Sequence, residues 1–135
     1  MGSTEILLVE DDPDILEGAI EILREAGYEA VSAVNADIGL ILLEQGLPFR
    51  LLITDIVLPG RLDGFALARR AKEIRPQIEI IYATAYPSVA DIRSRGAPWG
   101  KTLLKPFGSD DLVRTVESVF VAPASSSPIA PPPPG

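Results

Sequence analysis

Side chains that can bind cations or react with phosphorus follow apolar stretches at four points of this sequence. They are Glu10, Asp11, Asp12, Asp55, Thr84 and Lys105. Short apolar runs are typical of strands that are buried on both faces of a parallel sheet. We therefore expect these side chains to lie at the carboxyl ends of such strands, along one edge of the sheet.

Three carboxylates at one sheet edge predict a divalent cation. Packed closely, Glu10, Asp11 and Asp55 would repel one another and raise at least one carboxyl pKa, unless a cation neutralises them. Ligands that are all oxygen suit a hard cation. Few carboxylates with open positions favour Mg²⁺, which keeps several waters and commonly meets a phosphate. The sequence therefore predicts a Mg²⁺ site.

A carboxylate beside such an ion can act as a nucleophile toward phosphorus and form an aspartyl phosphate. We predict that Asp55 is this nucleophile, because it ends the central strand. Phosphoryl transfer leaves negative charge on three oxygens. The metal, the Lys105 ammonium and the Thr84 hydroxyl are the kinds of group that stabilise this charge. No general base is needed, since a carboxylate is already ionised.

The elements that must position these residues alternate along the chain. We predict strands over 5–10, 29–33, 51–55, 78–84 and 102–104, and helices over 14–26, 37–44, 64–74, 88–95 and 109–120. This alternation predicts an α/β domain over residues 1–121, with a parallel sheet covered on both faces. Ligands of such sheets bind at the carboxyl ends of the strands. Residues 122–135 are rich in Pro and Ser and predict a disordered or polyproline-like tail.

Composition excludes several function classes. The net charge of -7 and the scattered Lys and Arg argue against a direct nucleic-acid partner. The absence of Cys and His excludes disulfides, thiolate metal sites and His-ligated zinc. No apolar run approaches the roughly 20 residues of a membrane span, and the amino terminus does not resemble a signal peptide. We expect a soluble, cytoplasmic protein.

The motifs together resemble the receiver (CheY-like) domain of two-component response regulators. The matching segments cover roughly residues 4–121 and are Leu8-Val9-Glu10-Asp11-Asp12-Pro13, the Asp55 strand with Leu58-Pro59-Gly60, Asp63-Gly64, Ala83-Thr84-Ala85 and Lys105-Pro106-Phe107. The resemblance implies a flavodoxin-like (βα)5 three-layer sandwich with strand order 2-1-3-4-5. It implies that Asp55 takes phosphate from a phosphohistidine on a sensor histidine kinase or histidine phosphotransfer protein.

The resemblance also implies roles for the other site residues. Asp11 and Asp55 would bind Mg²⁺ directly, the Val57 carbonyl would be the third protein ligand, and Glu10 would act mainly through water. Thr84 would move toward the phosphoryl group and Lys105 would pair with it. The peptide bond between Lys105 and the following proline would be cis.

For output, the resemblance implies protein contacts with a downstream partner, because no output domain is recognisable in the sequence. The predicted 88–95 helix, the fifth strand and the last helix would form that face, which could also support a homodimer. Thr102 stands where receivers usually carry a switch aromatic. The Tyr82-Ala83-Thr84-Ala85-Tyr86 stretch is similar to a subgroup, often stand-alone, with a Phe-Ala-Thr-Gly-Tyr motif.

Three alternatives remain at the level of sequence. The chain could be a phosphate shuttle or sink that passes the group to a histidine on another protein. It could be an aspartyl-phosphate phosphohydrolase, although such enzymes need a second Asp where this chain has Val57. It could also be a receiver-like interaction module that works without phosphate, which an intact Asp11, Asp55 and Lys105 argues against.

Overall fold

The computed structural model describes residues 5–85 and 100–126, with side chains described as far as residue 120. The strands are β1 (Ile6–Val9), β2 (Ala30–Ala33), β3 (Leu51–Asp55), β4 (Glu79–Thr84) and β5 (Gly100–Leu104). The helices are α1 (Pro13–Glu25), α2 (Ala36–Glu44), α3 (Gly64–Ile74) and α4 (Ser109–Ser126).

The five strands form one parallel sheet in the order β2-β1-β3-β4-β5, as predicted. β3 is the central strand and pairs with β1 on one side and β4 on the other. The register places Val9 beside Thr54 and Asp55 beside Ala83, so the strands end nearly level with one another. Side chains that follow these strand ends therefore share one edge of the sheet.

Two apolar layers bury the sheet, because successive side chains of a strand point to opposite faces. One layer contains Leu7, Leu52, Ile80 and Tyr82 together with apolar residues of α2 and α3. The other contains Leu8, Ile53, Ile81 and Leu103 together with apolar residues of α1 and α4. This three-layer arrangement confirms the fold class and explains why β1, β3 and β4 are largely apolar.

Local sequence fixes where the helices begin. Asp12, Asn35 and Asp63 are the N-caps of α1, α2 and α3, and each side chain accepts a backbone N–H from the first turn. Such caps satisfy donors that have no partner within the helix. The second helix therefore begins at Ala36, directly after Asn35 and one residue before its predicted start.

The last helix differs from its predicted end. α4 continues to Ser126, whereas the sequence pattern predicted an end at residue 120. Ala122 and Ala124 have high helix propensity, although Pro123 between them has no backbone N–H to donate. The predicted 88–95 helix and the rest of the predicted tail lie outside the described residues. None of the described helices is both long and apolar enough to cross a membrane.

Candidate functional site

Three carboxylates converge where β1 and β3 end. Glu10, Asp11 and Asp55 each offer one oxygen, and these oxygens all lie within 4.8 Å of one another. Glu10 is buried, Asp55 is partly buried and Asp11 is exposed. The predicted convergence is therefore present in the fold, and the cluster is open to solvent on the Asp11 side.

Lys105 completes the site from the end of β5. Its Nζ lies 2.5 Å from Glu10 Oε1 and 3.0 Å from Asp55 Oδ2, and only 14% of the lysine side chain is exposed. Three carboxylates and one ammonium leave a formal charge of -2 in this cluster. The Lys105–Pro106 bond is cis, as the resemblance implied.

Burial and hydrogen bonding have opposite effects on the pKa values of Glu10 and Lys105. Burial raises the pKa of Glu10, and the hydrogen bond from Lys105 only partly offsets it. For Lys105, burial favours the neutral amine, but hydrogen bonds to Glu10 and Asp55 outweigh burial and raise the pKa. The ammonium is therefore charged at neutral pH.

The acidic residues after β1 have different partners. Glu10 Oε2 accepts the Asp12 backbone N–H at 3.1 Å, while Oε1 faces Lys105. The Asp12 carboxylate accepts backbone N–H groups at the start of α1, at 2.9 and 3.3 Å. Both oxygens of Glu10 thus bind protein donors, and Asp12 acts as a helix cap. Asp11, between them, is the exposed member of the carboxylate cluster.

The backbone around Asp55 is packed against the start of α3. The Thr54 hydroxyl donates to the Asp55 carbonyl oxygen at 2.9 Å, and Gly64 N donates to the Ile56 carbonyl at 2.8 Å. A Cβ at Gly64 would lie 2.1 Å from the Asp55 carbonyl oxygen. Only glycine therefore fits at position 64. This contact was not predicted, although Asp63-Gly64 is one of the segments that carry the resemblance.

Thr84 is near Asp55 on the neighbouring strand, and Val57 is near it along the chain. Thr84 ends β4 and is buried, one residue beyond the position paired with Asp55. Its carbonyl oxygen accepts the Lys105 backbone N–H at 2.8 Å, so the Thr84 and Lys105 backbones are joined. Val57 follows Asp55 by two residues, and its side chain is exposed. The role of its carbonyl oxygen stays a prediction.

The donor set fits a hard divalent cation. Carboxylate oxygens are the ligands that Mg²⁺ prefers, and the cluster has both the required charge and access to solvent. A buried ammonium beside a partly exposed aspartate is also suited to stabilising a phosphoryl group on that aspartate.

Comparisons with known proteins point to one family. A family model described as "Response regulator receiver domain" matches residues 6–117. The chain is 41% identical to the response regulator receiver protein CpdR of Brucella abortus, over 87% of this chain and 97% of the relative. It is also 31% identical to the sensor kinase CckA of the same species, over 88% of this chain but 13% of the kinase.

A solved structure has the same fold over nearly the whole chain. A CheY-like response regulator receiver domain protein from Methanospirillum hungatei superposes with a TM-score of 0.81 and is 30% identical. The match covers 93% of this chain and 99% of the other.

Proposed function

The chain belongs to the response regulator receiver domain family, the phosphoacceptors of two-component signalling, and on this premise we propose that Asp55 accepts the phosphoryl group. One observation supports this choice above all. Asp55 is the carboxylate that both joins the acidic cluster and lies 3.0 Å from the Lys105 ammonium while keeping partial exposure. A phosphodonor must reach the acceptor oxygen, and Glu10 is too buried for that role.

We further propose that this site binds Mg²⁺. Asp11 and Asp55 would be direct ligands with the Val57 carbonyl, and Glu10 would act through water because both of its oxygens already bind protein donors. A divalent ion would neutralise the formal charge of -2 and supply electrostatic stabilisation to the transferred phosphoryl oxygens.

The transfer needs little from the protein beyond placement and charge. An Asp55 carboxylate oxygen attacks phosphorus as the bond from phosphorus to the donor's imidazole nitrogen breaks. Lys105 stabilises the negative charge that gathers on the phosphoryl oxygens, and the Thr84 hydroxyl moves toward them. The electron pair of the broken bond stays on the imidazole, which becomes a neutral histidine after taking a proton from solvent.

The partners follow from composition and family. Since these 135 residues contain no histidine, the phosphohistidine must lie outside this chain, and we propose a sensor histidine kinase or a histidine phosphotransfer protein as its source. We propose that the output is contact with a downstream protein, and that the chain is a switch whose own chemistry is limited to self-phosphorylation and self-dephosphorylation. A cytoplasmic location stays a prediction. A homodimer through the 88–95 segment also stays a prediction, because that segment lies outside the described residues.

Phosphate uptake from a small donor tests the assignment. The chain is incubated with Mg²⁺ and acetyl phosphate, and the bound phosphate is measured by mass spectrometry with its stability in acid and base. We expect one acid-stable, base-labile phosphate, lost in Asp55→Asn and retained in the matched control Asp63→Asn, because asparagine also caps a helix well. Uptake that is unchanged in Asp55→Asn would refute the proposal.

A further inference from the structure

Tyr82 is a fully buried tyrosine on β4, two residues before Thr84 and on the same face of the sheet. Its ring contacts the Phe65 ring, with centroids 5.3 Å apart and planes tilted by 55°. On the other side the ring covers Gly100, the first residue of β5. A Cβ built at Gly100 would lie 2.2 Å from Tyr82 Cε2. The tyrosine ring therefore occupies the space that a side chain at position 100 would need.

These contacts form a continuous path from the acceptor to the edge of the sheet. Gly64 packs directly against the carbonyl group of Asp55, and Phe65 is the next residue of the same helix. Phe65 contacts Tyr82, and Tyr82 covers Gly100 on the edge strand. Among the described residues, this path connects Asp55 to β5 without passing through Thr84 or Lys105.

The same region lacks the aromatic residue that the family resemblance places on β5. Thr102 stands at that position, and it pairs with Tyr82 in the β4–β5 register. A threonine has no ring that could exchange between a buried and an exposed position. We propose that Tyr82 is the positioning residue that transmits phosphorylation of Asp55 to β5, through its ring contacts with Phe65 and Gly100. This inference rests on the proposed function and names how that site is coupled to a surface strand.

Two substitutions of Tyr82 can separate the role of its ring from that of its hydroxyl group. The hydroxyl is buried and has no hydrogen-bond partner among the described residues. A buried hydroxyl without a partner destabilises the state that contains it, so removing it should leave the resting protein at least as stable. Tyr82→Phe thus keeps the ring contacts, whereas Tyr82→Leu removes them.

The experiment measures the response of β5 to a phosphoryl mimic. Amide chemical shifts of Gly100–Leu104 are recorded in the full chain with Mg²⁺, before and after adding beryllofluoride. Phosphate uptake from acetyl phosphate is measured in parallel. We expect Tyr82→Leu to reduce the β5 shift changes, because the loss of a coupling residue changes the equilibrium between two states by about 2- to 30-fold. Phosphate uptake should be retained, and Tyr82→Phe should show the full response.

Gly100→Ala tests the same contact from the other strand. The added methyl group crowds the Tyr82 ring without changing it, so we expect Gly100→Ala to reduce the β5 shift changes as well. This variant tests the contact independently if Tyr82→Leu does not fold. A full β5 response in Tyr82→Leu or Gly100→Ala, or its loss in Tyr82→Phe, would overturn the proposal. A wild-type chain that takes up phosphate without any β5 shift change would overturn this inference alone. No uptake by the wild type would overturn the proposed function.

Discussion

Gly64→Ala is the sharpest test of how the fold positions Asp55. The added Cβ would lie 2.1 Å from the Asp55 carbonyl oxygen and 2.8 Å from the Ile56 Cα. Non-bonded heavy atoms prefer separations of about 3.5 Å or more, so α3 and the end of β3 must move apart by more than about 1 Å. Overpacking of this kind costs about 1–3 kcal/mol. For a domain of this size that lowers the unfolding temperature by about 4–12 °C.

The same displacement should impair the site. The displaced carbonyl group belongs to Asp55 itself. A misplacement of about 1 Å at a reacting group can reduce the rate about 100-fold. We therefore expect weaker Mg²⁺ binding and slower phosphate uptake in Gly64→Ala. Urea denaturation, calorimetric titration with Mg²⁺ and the rate of uptake from acetyl phosphate measure the three effects.

Gly18→Ala is the matched control, because the same substitution should stabilise the protein at that position. Gly18 lies inside α1, and a Cβ built on it meets nothing within 4 Å. Alanine should stabilise this helix by about 0.5–1 kcal/mol and leave the site unchanged. A Gly64→Ala variant with wild-type stability and uptake would refute the packing argument. Lost stability with normal uptake would show that the contact supports the fold and not the site.

Two further substitutions test the charges of the site. Lys105→Met leaves the buried Glu10 carboxylate without its ammonium partner. Because removing one member of a buried ion pair lowers the free energy of unfolding by about 3–5 kcal/mol, we expect a lower urea midpoint, and an unchanged midpoint would contradict this. Because the Lys105 pKa is raised from 10.5, its stabilising contribution should be complete below pH 10.5 and decline as pH rises through the folded-state pKa. Asp11→Asn should weaken Mg²⁺ binding, whereas Asp12→Asn should keep it, since Asp12 caps α1. Equal affinities in both variants would refute these separate roles.

Much of the fold and of the site was predictable because the necessary information is local. β1, β3 and β4 are largely apolar, and β5 ends in Leu103-Leu104. A parallel sheet brings the ends of such strands to one edge, so the pattern predicts the convergence of Glu10, Asp55 and Lys105. The packing of Gly64 on Asp55, and of Tyr82 on its neighbours, was not predictable. These contacts depend on how elements lie against each other, which the periodicity within one segment does not encode.

The two partners of Lys105 indicate how Asp55 could receive a phosphoryl group while the contact between Lys105 and Glu10 is kept. An ammonium has three N–H donors, and among the described residues Glu10 and Asp55 accept two of them. Glu10 also accepts the Asp12 backbone N–H, which holds the carboxylate that Lys105 contacts. A phosphoryl group on Asp55 would place roughly two negative charges beside this ammonium, where the carboxylate has one. The third N–H of Lys105 could pair with the phosphoryl group while the lysine remains bound to Glu10, so we expect Glu10 to position Lys105 in both states.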